Sequence, residues 1–223
     1  MLDNVLRLNY LEAMGIDVWM SRMPVPAVID SDCLGTAANN GWDTLQTEVA
    51  GCTKCGLCET RTQTVFGTGN NKADWLLIGE APGQHEDEQG KPFVGNAGQL
   101  LTEMLRAMGL TREEVFITNI IKCRPPRNRD PHVDEVESCF DYLQRQLAII
   151  QPKIILAVGR IAAQTLLNTD LPLAKLRGKV HTLDDTPLVV VYHPAYLLRS
   201  LAEKRKAWQD LQLAMQTINK SEY

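Results

Sequence analysis

Several features that would place the chain in a membrane or outside the cell are absent from its sequence. Among the 223 residues there is no run of about 18 apolar side chains, and Met1 to Asn4 lack the basic and apolar regions of a signal peptide. We therefore expect a cytosolic protein. Six cysteines in a reducing compartment indicate metal binding or catalysis rather than disulfides.

The chain also lacks an excess of positive charge, which argues against a uniformly basic nucleic-acid binder. Its formal net charge is -4. The first 51 residues carry a net charge of -5, so the remaining residues carry a net charge of +1 and are close to neutral. Local clusters in that remainder can still bind a polyanion. The first cluster comprises Lys122, Arg124, Arg127 and Arg129. A second cluster, Arg199 and Lys204 to Lys206, is explained equally well as a solvated helix face.

Three segments are expected along the chain. Residues 1–20 have the apolar spacing of a short amphipathic, partner-binding peptide. Residues 21–41 are rich in proline, glycine and asparagine and are predicted to be a linker. Residues 42–223 form the main domain, and 44% hydrophobic content is enough to fill one core.

The main domain is predicted to be an α/β fold, a three-layer α/β/α sandwich around a four-stranded parallel sheet. Four apolar runs have the pattern of buried parallel strands: Trp75–Ile78, Val115–Thr118, Ile154–Val158 and Leu188–Tyr192. Helical patterns at Ala97–Met108 and Val133–Ile150 separate them. Ligands of such sheets bind beyond the carboxyl ends of the strands. Polar residues stand at those ends: Glu80, Asn119 and His193.

Four cysteines have the spacing of a metal site that joins distant parts of the chain. They occur as Cys52-x2-Cys55 and Cys123-x15-Cys139, and a shared metal centre would rigidify the chain between them. Zinc is an alternative, since four thiolates also suit a tetrahedral site. We take Cys33 and Cys58 as non-ligands, although Cys55-x2-Cys58 is an equally plausible local pair.

Taken together and in order, six motifs resemble the family 4 uracil-DNA glycosylases. They are CTKC at 52–55, GEAPG at 79–83 followed by GKPFVG at 90–95, TN at 118–119, KCRPP at 122–126 and HPAYLLR at 193–199. The resemblance extends from about Trp42 to Leu213 and implies the glycosylase sandwich fold. It also implies a 4Fe-4S iron-sulfur cluster whose ligand positions match Cys52, Cys55, Cys123 and Cys139.

The resemblance implies three catalytic residues. Asn119 would pair with the edge of uracil and mismatch cytosine, and His193 would donate a hydrogen bond to uracil O2 as negative charge develops there. Glu80 would orient water or balance the sugar cation. Each has a structural alternative: a helix cap for Asn119, a turn residue for His193 and an amide cap for Glu80.

Further residues would bind the substrate base. Phe93 matches the stacking ring of the family, although a core phenylalanine beside Val94 is the alternative. The backbone of Ala81 and Gly83 would form a cradle. Glu86, or Asp87 beside it, would crowd the C5 side of the base against thymine.

The expected DNA contacts come from two loops. Lys122, Arg124, Arg127 and Arg129 lie beside a cluster ligand, and the prolines among them stiffen the loop. The segment with Tyr196, Leu197 and Arg199 stands where related enzymes press into the duplex. Packing of Leu197 and Leu198 in the core is the alternative. Ser200 and Leu201 depart from the asparagine and proline that are common in the family at this point.

The N-terminal peptide has a second resemblance, to the leading segment of the psi subunit of the DNA polymerase III clamp loader. That segment binds the chi subunit, and the matching residues are Leu8, Leu11, Met14, Ile16 and Trp19. Two hypotheses follow from the sequence. The first is a uracil-excising enzyme tethered to replication through residues 6–24. The second is a psi-like clamp-loader subunit that binds chi and uses the glycosylase fold as a DNA-binding or structural module with little or no excision.

Overall fold

The computed structural model describes residues 32–220 of the chain. The peptide predicted at residues 1–20, with its five candidate partner-binding residues, lies outside the described residues, as do positions 21–31. The first described helix, α1, spans Asp32–Ala50. Positions 32–41, which the sequence predicts to be part of a linker, are helical.

A six-stranded mixed sheet forms the middle layer. Its strands are β1 (Thr68–Gly69), β2 (Trp75–Gly79), β3 (Phe116–Asn119), β4 (Ile154–Val158), β5 (Val180–Leu183) and β6 (Thr186–Val191). Their order across the sheet is β1-β3-β2-β4-β6-β5. The four inner strands are parallel, as predicted, and the prediction of an α/β sandwich is confirmed. The edge strands β1 and β5 are antiparallel and were not predicted.

Helices cover both faces of this sheet. After α1 come α2 (Gln84–Gln89), α3 (Asn96–Ala107), α4 (Val133–Ile150), α5 (Arg160–Leu166), α6 (Leu173–Leu176), α7 (Pro194–Arg199) and α8 (Lys204–Lys220). The bounds of α4 are those predicted from the sequence, and α3 begins and ends one residue earlier than predicted. No helix in residues 32–220 has the length and apolarity needed to cross a membrane.

Alternating side chains of the inner strands divide the core between the two faces. In β2, Leu76 and Ile78 contribute to one buried cluster, which also contains Leu143 of α4. Leu77 contributes to the cluster on the opposite face, where it is joined by Leu105 of α3. Both faces of β2 are therefore buried, as expected for an inner parallel strand.

The parallel register brings the carboxyl ends of the inner strands to one edge. Gly79 pairs with Asn119, and Val158 pairs with Val191. The residues that follow each strand consequently line a common cavity at this edge of the sheet, where open α/β sheets bind their ligands.

Candidate active site and cysteine centre

A cavity of about 720 Å³ lies at the carboxyl ends of the inner strands. Every loop that leaves these ends contributes to its wall. Its lining includes Glu80, Ala81, Gly83, Glu86, Phe93, Asn119, Arg129, Arg160, Tyr192, His193, Tyr196 and Arg199. The three residues predicted to be catalytic are thus brought together in one cavity.

His193 faces this cavity as a neutral imidazole. The main-chain N–H of Ala195 donates to its Nδ1 at 3.1 Å, which leaves the ring proton on Nε2. Burial lowers the pKa of His193 to about 4, and the positive charge of Arg199 adds to this effect against an opposing contribution from Glu86. At neutral pH the ring therefore carries its N–H donor on Nε2 without a positive charge.

Asn119 is the buried polar side chain of the cavity. It is 2% exposed, and among the described residues its Oδ1 has no hydrogen-bond partner. Buried amide oxygens are rarely left without a donor, and such an atom needs a functional explanation. A ligand N–H that enters the cavity would supply the donor, whereas the helix cap considered from sequence would have filled this acceptor.

Gly79 makes room for two site residues at once. A Cβ at this position would lie 2.4 Å from Asn119 Oδ1 and 2.6 Å from Phe93 Cζ. Both contacts are too short for any side chain that has a Cβ. Glycine at the end of β2 therefore lets the amide and the ring lie side by side.

Phe93 is held in a strained backbone conformation. Its φ is +54°, which a bulky residue rarely adopts, and its ring lies 5.7 Å from the His193 ring between centroids. On its N-terminal side, Arg112 Nη2 donates to the Pro92 carbonyl at 2.8 Å. The ring is buried, but it lines the cavity as predicted rather than serving only as a core residue.

Glu86 fixes the other side of the same loop. Its carboxylate accepts from the main-chain N–H groups of Val94 at 2.9 Å, Gly95 at 3.2 Å and Gly83 at 3.1 Å. It thus connects the loop after β2 to the loop that carries Phe93. These contacts make Glu86 a clamp for the pocket walls; it also lines the cavity, and its crowding of the base stays a prediction.

The contacts of Gly83, predicted to belong to the backbone cradle, and of Asp87, the alternative to Glu86, differ from those expected. The N–H of Gly83 already donates to Glu86, so Ala81 is left as the cradle residue of the predicted pair. Asp87 is buried and accepts from the main-chain N–H of Thr62 at 2.9 Å. It therefore contributes to folding and does not line the cavity.

Glu80 is half-buried at the start of the loop after β2. Burial raises its pKa to about 7; the nearby charge of Asp130 acts in the same direction, and that of Arg160 opposes it. Asp130 and Arg160 form an ion pair of 2.7 Å. A carboxyl group that exchanges a proton near neutral pH is suited to acid-base work.

The first basic cluster divides into exposed and buried members. Arg127 is exposed, and Arg124 is half-buried and donates to Asn128 Oδ1 at 2.7 Å. Arg129 lines the cavity and donates to both carboxylate oxygens of Glu135. Lys122 was expected to contact DNA, but it is only 1% exposed. Burial lowers its pKa to about 7, and it cannot reach a phosphate on the surface.

The helix after His193 needs a similar correction. Leu197 is 1% exposed and packs in the core, so it is not the residue that presses into a duplex. Tyr196 and Leu198 are 38% and 43% exposed on the same helix, and Arg199 is exposed beside the cavity. The alternative considered from sequence places both Leu197 and Leu198 in the core, but only Leu197 is buried there.

The four predicted ligand cysteines converge. The sulfur of Cys139 interacts electrostatically with those of Cys52 and Cys55, and Cys123 with those of Cys139 and Cys55. Burial raises the pKa of the Cys123 thiol to about 11. Cys58 also interacts with Cys55, so the local pair considered from sequence stays close to the centre.

Several N–H groups point at these sulfurs. Arg61 Nη1 donates to Cys123 Sγ at 3.1 Å, and the main-chain N–H of Lys122 donates to Cys139 Sγ at 3.3 Å. Donors of this kind are typical of thiolates that bind metal. Within the described part of the chain, no three His, Cys, Asp or Glu side chains lie close enough to hold a single ion.

Sequence reasoning missed three residues that shape the site: Arg112, Arg160 and Tyr192. Tyr192 lines the cavity, and the guanidinium of Arg177 lies 3.8 Å from its ring centroid. Tyr192 directly precedes the predicted catalytic histidine, which is the one signal that could have indicated it. The other two lie in segments without a motif.

The fold and the cavity together define an α/β sandwich with a polar cavity at the carboxyl ends of its inner parallel strands. Residues 66–212 match the profile of the uracil DNA glycosylase superfamily. The type-4 uracil-DNA glycosylase of Archaeoglobus fulgidus is 49% identical over 70% of this chain and 82% of that protein. Those of Sulfurisphaera tokodaii and Saccharolobus solfataricus are 45% and 46% identical, each over 69% of this chain and 74% of its own length. The chain belongs to the uracil DNA glycosylase superfamily and is similar to its type-4 members.

Proposed function

We propose that this protein is a uracil-DNA glycosylase that hydrolyses the bond between deoxyribose and uracil in DNA. The buried Oδ1 of Asn119, which has no partner among the described residues, is the observation that carries the proposal. Uracil offers an N3–H donor for this acceptor and an O4 acceptor for the amide N–H. Cytosine presents the opposite pattern at both positions, so the same amide rejects it.

The reaction needs stabilisation of two developing charges. A target nucleotide that is flipped out of the helix stacks its base on Phe93, at a cost of a few kcal/mol that these contacts offset. The neutral Nε2–H of His193 donates to uracil O2 as negative charge accumulates on the departing base. Ionised Glu80 orients the attacking water and balances positive charge on the sugar.

DNA approaches the cavity through an entrance that carries basic side chains. Arg127 and Arg199 are exposed near the cavity and are suited to contact phosphates, while Arg129 is preset by its bond to Glu135. Leu198 and Tyr196 are the exposed apolar residues beside them. The sequence predicts that Leu197 presses into the DNA duplex as the base leaves it; we assign this role to Leu198 instead.

An excision assay tests the function. Protein incubated with a uracil-containing single strand should release uracil and leave an alkali-labile abasic site. Strands with thymine or cytosine at the same position should stay intact. Failure of an iron-loaded sample to produce abasic product would contradict the proposal and favour the clamp-loader subunit.

The rate of excision should rise with pH through about 7. Glu80 keeps its proton up to about that pH, and only the ionised form can balance the sugar cation, so kcat/KM should fall about tenfold per pH unit below it. Burial lowers the pKa of His193 to about 4, so its titration adds no second slope to the pH profile between pH 5 and 9. Single-turnover rates between pH 5 and 9 measure the profile.

Glu80→Gln is the control for this assignment. The variant should be slower than the wild-type protein above pH 7 and should show a flat profile. A rate that still rises through pH 7 in the variant would assign the titration to another group.

We further propose that Cys52, Cys55, Cys123 and Cys139 hold a 4Fe-4S cluster. Four neighbouring thiols whose sulfurs accept N–H donors fit a metal centre, and the resemblance to the family 4 glycosylases favours an iron-sulfur cluster over a single zinc ion. The cluster would brace the segments that carry the cavity. Iron and sulfide analysis of protein purified without air tests the assignment, and stoichiometric zinc would contradict it.

Finally, we propose that the peptide within residues 6–24 binds the chi subunit of DNA polymerase III and tethers repair to replication. Only the sequence pattern of the peptide supports this. Deleting residues 1–22 should abolish capture of chi in a pull-down while excision continues at the full-length rate. Equal capture by both proteins would remove the link.

A further inference from the structure

Two peptide groups set the backbone conformation of Phe93, and each is held by a charged side chain. The Pro92 carbonyl belongs to the peptide group before Phe93 and accepts from Arg112 Nη2 at 2.8 Å. The main-chain N–H of Val94 belongs to the peptide group after it and donates to Glu86 Oε1 at 2.9 Å. Since φ and ψ turn these two planar groups relative to each other, holding both of them holds φ at its strained value of +54°.

Arg112 also contacts the helix that packs against this loop. Its Nη1 donates to Thr102 Oγ1 at 3.3 Å, and the Thr102 hydroxyl donates to the Gly98 carbonyl at 3.0 Å. Gly98 lies in the first turn of α3, where any Cβ would collide with the Phe93 carbonyl oxygen. One guanidinium therefore joins the main chain before Phe93 to the helical turn that touches the main chain after it.

Packing alone does not fix this side of the loop, because a cavity of about 710 Å³ adjoins it. Phe93, Val94 and Thr102 line this cavity together with Arg112. A bulky residue with a positive φ persists only where its surroundings over-determine that conformation. On the side of the cavity, the hydrogen bonds from Arg112 supply this constraint. Both acceptors are neutral, so the arginine acts here as a planar fork of donors.

We propose that Arg112 is a positioning residue that holds the Phe93 ring ready to stack on the extruded base. The guanidinium fixes the peptide group before Phe93 and the neighbouring turn of α3, so the ring is in place before a base arrives. This inference rests on the proposed function, in which uracil stacks on Phe93. It gives a role in recognition to an arginine that belongs to no motif.

A double-mutant cycle tests whether Arg112 acts through the ring. Arg112→Ala removes the donors, Phe93→Ala removes the ring, and a third protein carries both substitutions. Arg106→Ala is the matched control, because this arginine lies on α3 but its guanidinium bonds to Glu103 on the exposed surface.

The first readout is inhibition of excision by free uracil. We expect the inhibition constant to rise on the order of tenfold in Arg112→Ala, because a base that meets a displaced ring loses much of its stacking. In the Phe93→Ala background, the same substitution should change the constant by less than about twofold. Arg106→Ala should keep the wild-type value.

The second readout separates KM from kcat. Stacking on Phe93 is available to the base in the ground state and in the transition state alike, so its loss weakens binding uniformly. In Arg112→Ala, KM for a uracil-containing strand should therefore rise about tenfold while kcat stays within about threefold. A lower kcat with an unchanged KM would point to damage at the catalytic groups and would overturn the proposal.

If Arg112→Ala is not recovered folded, Arg112→Met takes its place in the cycle, since it keeps most of the length of the side chain and removes its donors. Unchanged inhibition by uracil in the folded Arg112 variant overturns the proposal. Equal effects of this substitution with and without the Phe93 ring overturn it as well. Wild-type protein that neither binds nor excises uracil would instead overturn the proposed function.

Discussion

Replacing His193 with alanine is expected to lower the rate of uracil release by about 10²–10³-fold, the effect of removing one preorganised donor from a developing oxyanion. The structure gives this donor its direction, because Ala195 N–H occupies Nδ1 and leaves the proton on Nε2. It also keeps the ring neutral, since burial lowers the pKa of His193 to about 4. A neutral donor adds no positive charge near the sugar cation. Single-turnover formation of abasic sites at pH 8 measures the loss.

His181→Ala is the matched control for this variant. His181 lies on the edge strand β5, and its ring hydrogen-bonds with the carbonyl of Leu176, away from the cavity wall. It should excise uracil at a rate close to wild type, and both variants should keep the iron content of the parent. A His193→Ala protein that works within threefold of wild type would remove this residue from the chemistry.

The inner sheet was predictable from sequence because its strands are buried on both faces. Runs such as Ile154–Val158 and Leu188–Tyr192 have no polar interruption, so their existence follows from apolar content alone. The edge strands gave no such signal. β1 contains two residues, and β5 alternates between exposed and half-buried side chains. Antiparallel pairing at a sheet edge depends on neighbours that are distant in sequence.

Which side of a short element faces the core was the least predictable feature. Leu197 and Leu198 are adjacent in sequence, and one helical step decides which of them is buried. Lys122 stands in a basic run, yet it points inward because it follows the end of β3 and meets Gln146 of α4. A sequence pattern places such a charged residue at the surface because charged side chains usually lie there.

The pocket residues were predictable as a set, but their division of labour was not. Glu86 lies between two motifs of the predicted pocket, and only its three bonds to main-chain N–H groups reveal that it holds two loops together. The same is true of Gly79, whose role depends on the distance between Asn119 and Phe93 in space. Motifs identify where the chemistry is, whereas three-dimensional contacts identify which residues hold it in place.

Asn119→Asp is the substitution with the other large expected effect. An ionised carboxylate presents two acceptors, so it repels uracil O4, where the amide N–H of the wild-type protein donates. A site built for a hydrogen bond rejects a mismatched partner by as much as 10⁴–10⁵-fold, and we expect uracil excision to fall by at least about 10³-fold. The same carboxylate can accept from the exocyclic amine of cytosine, so slow release of cytosine should appear.

Paired single-turnover assays on strands that differ only in uracil or cytosine measure both effects. Asn119→Ala is the control, because it also loses the bond to uracil but offers no acceptor for the cytosine amine. The side chain of Asn119 is buried and its Oδ1 lies against Gly79, so it has little room to turn away from the base and evade the mismatch. Wild-type uracil excision by Asn119→Asp would show that another group reads the base, and the unpartnered Oδ1 would then need a different explanation.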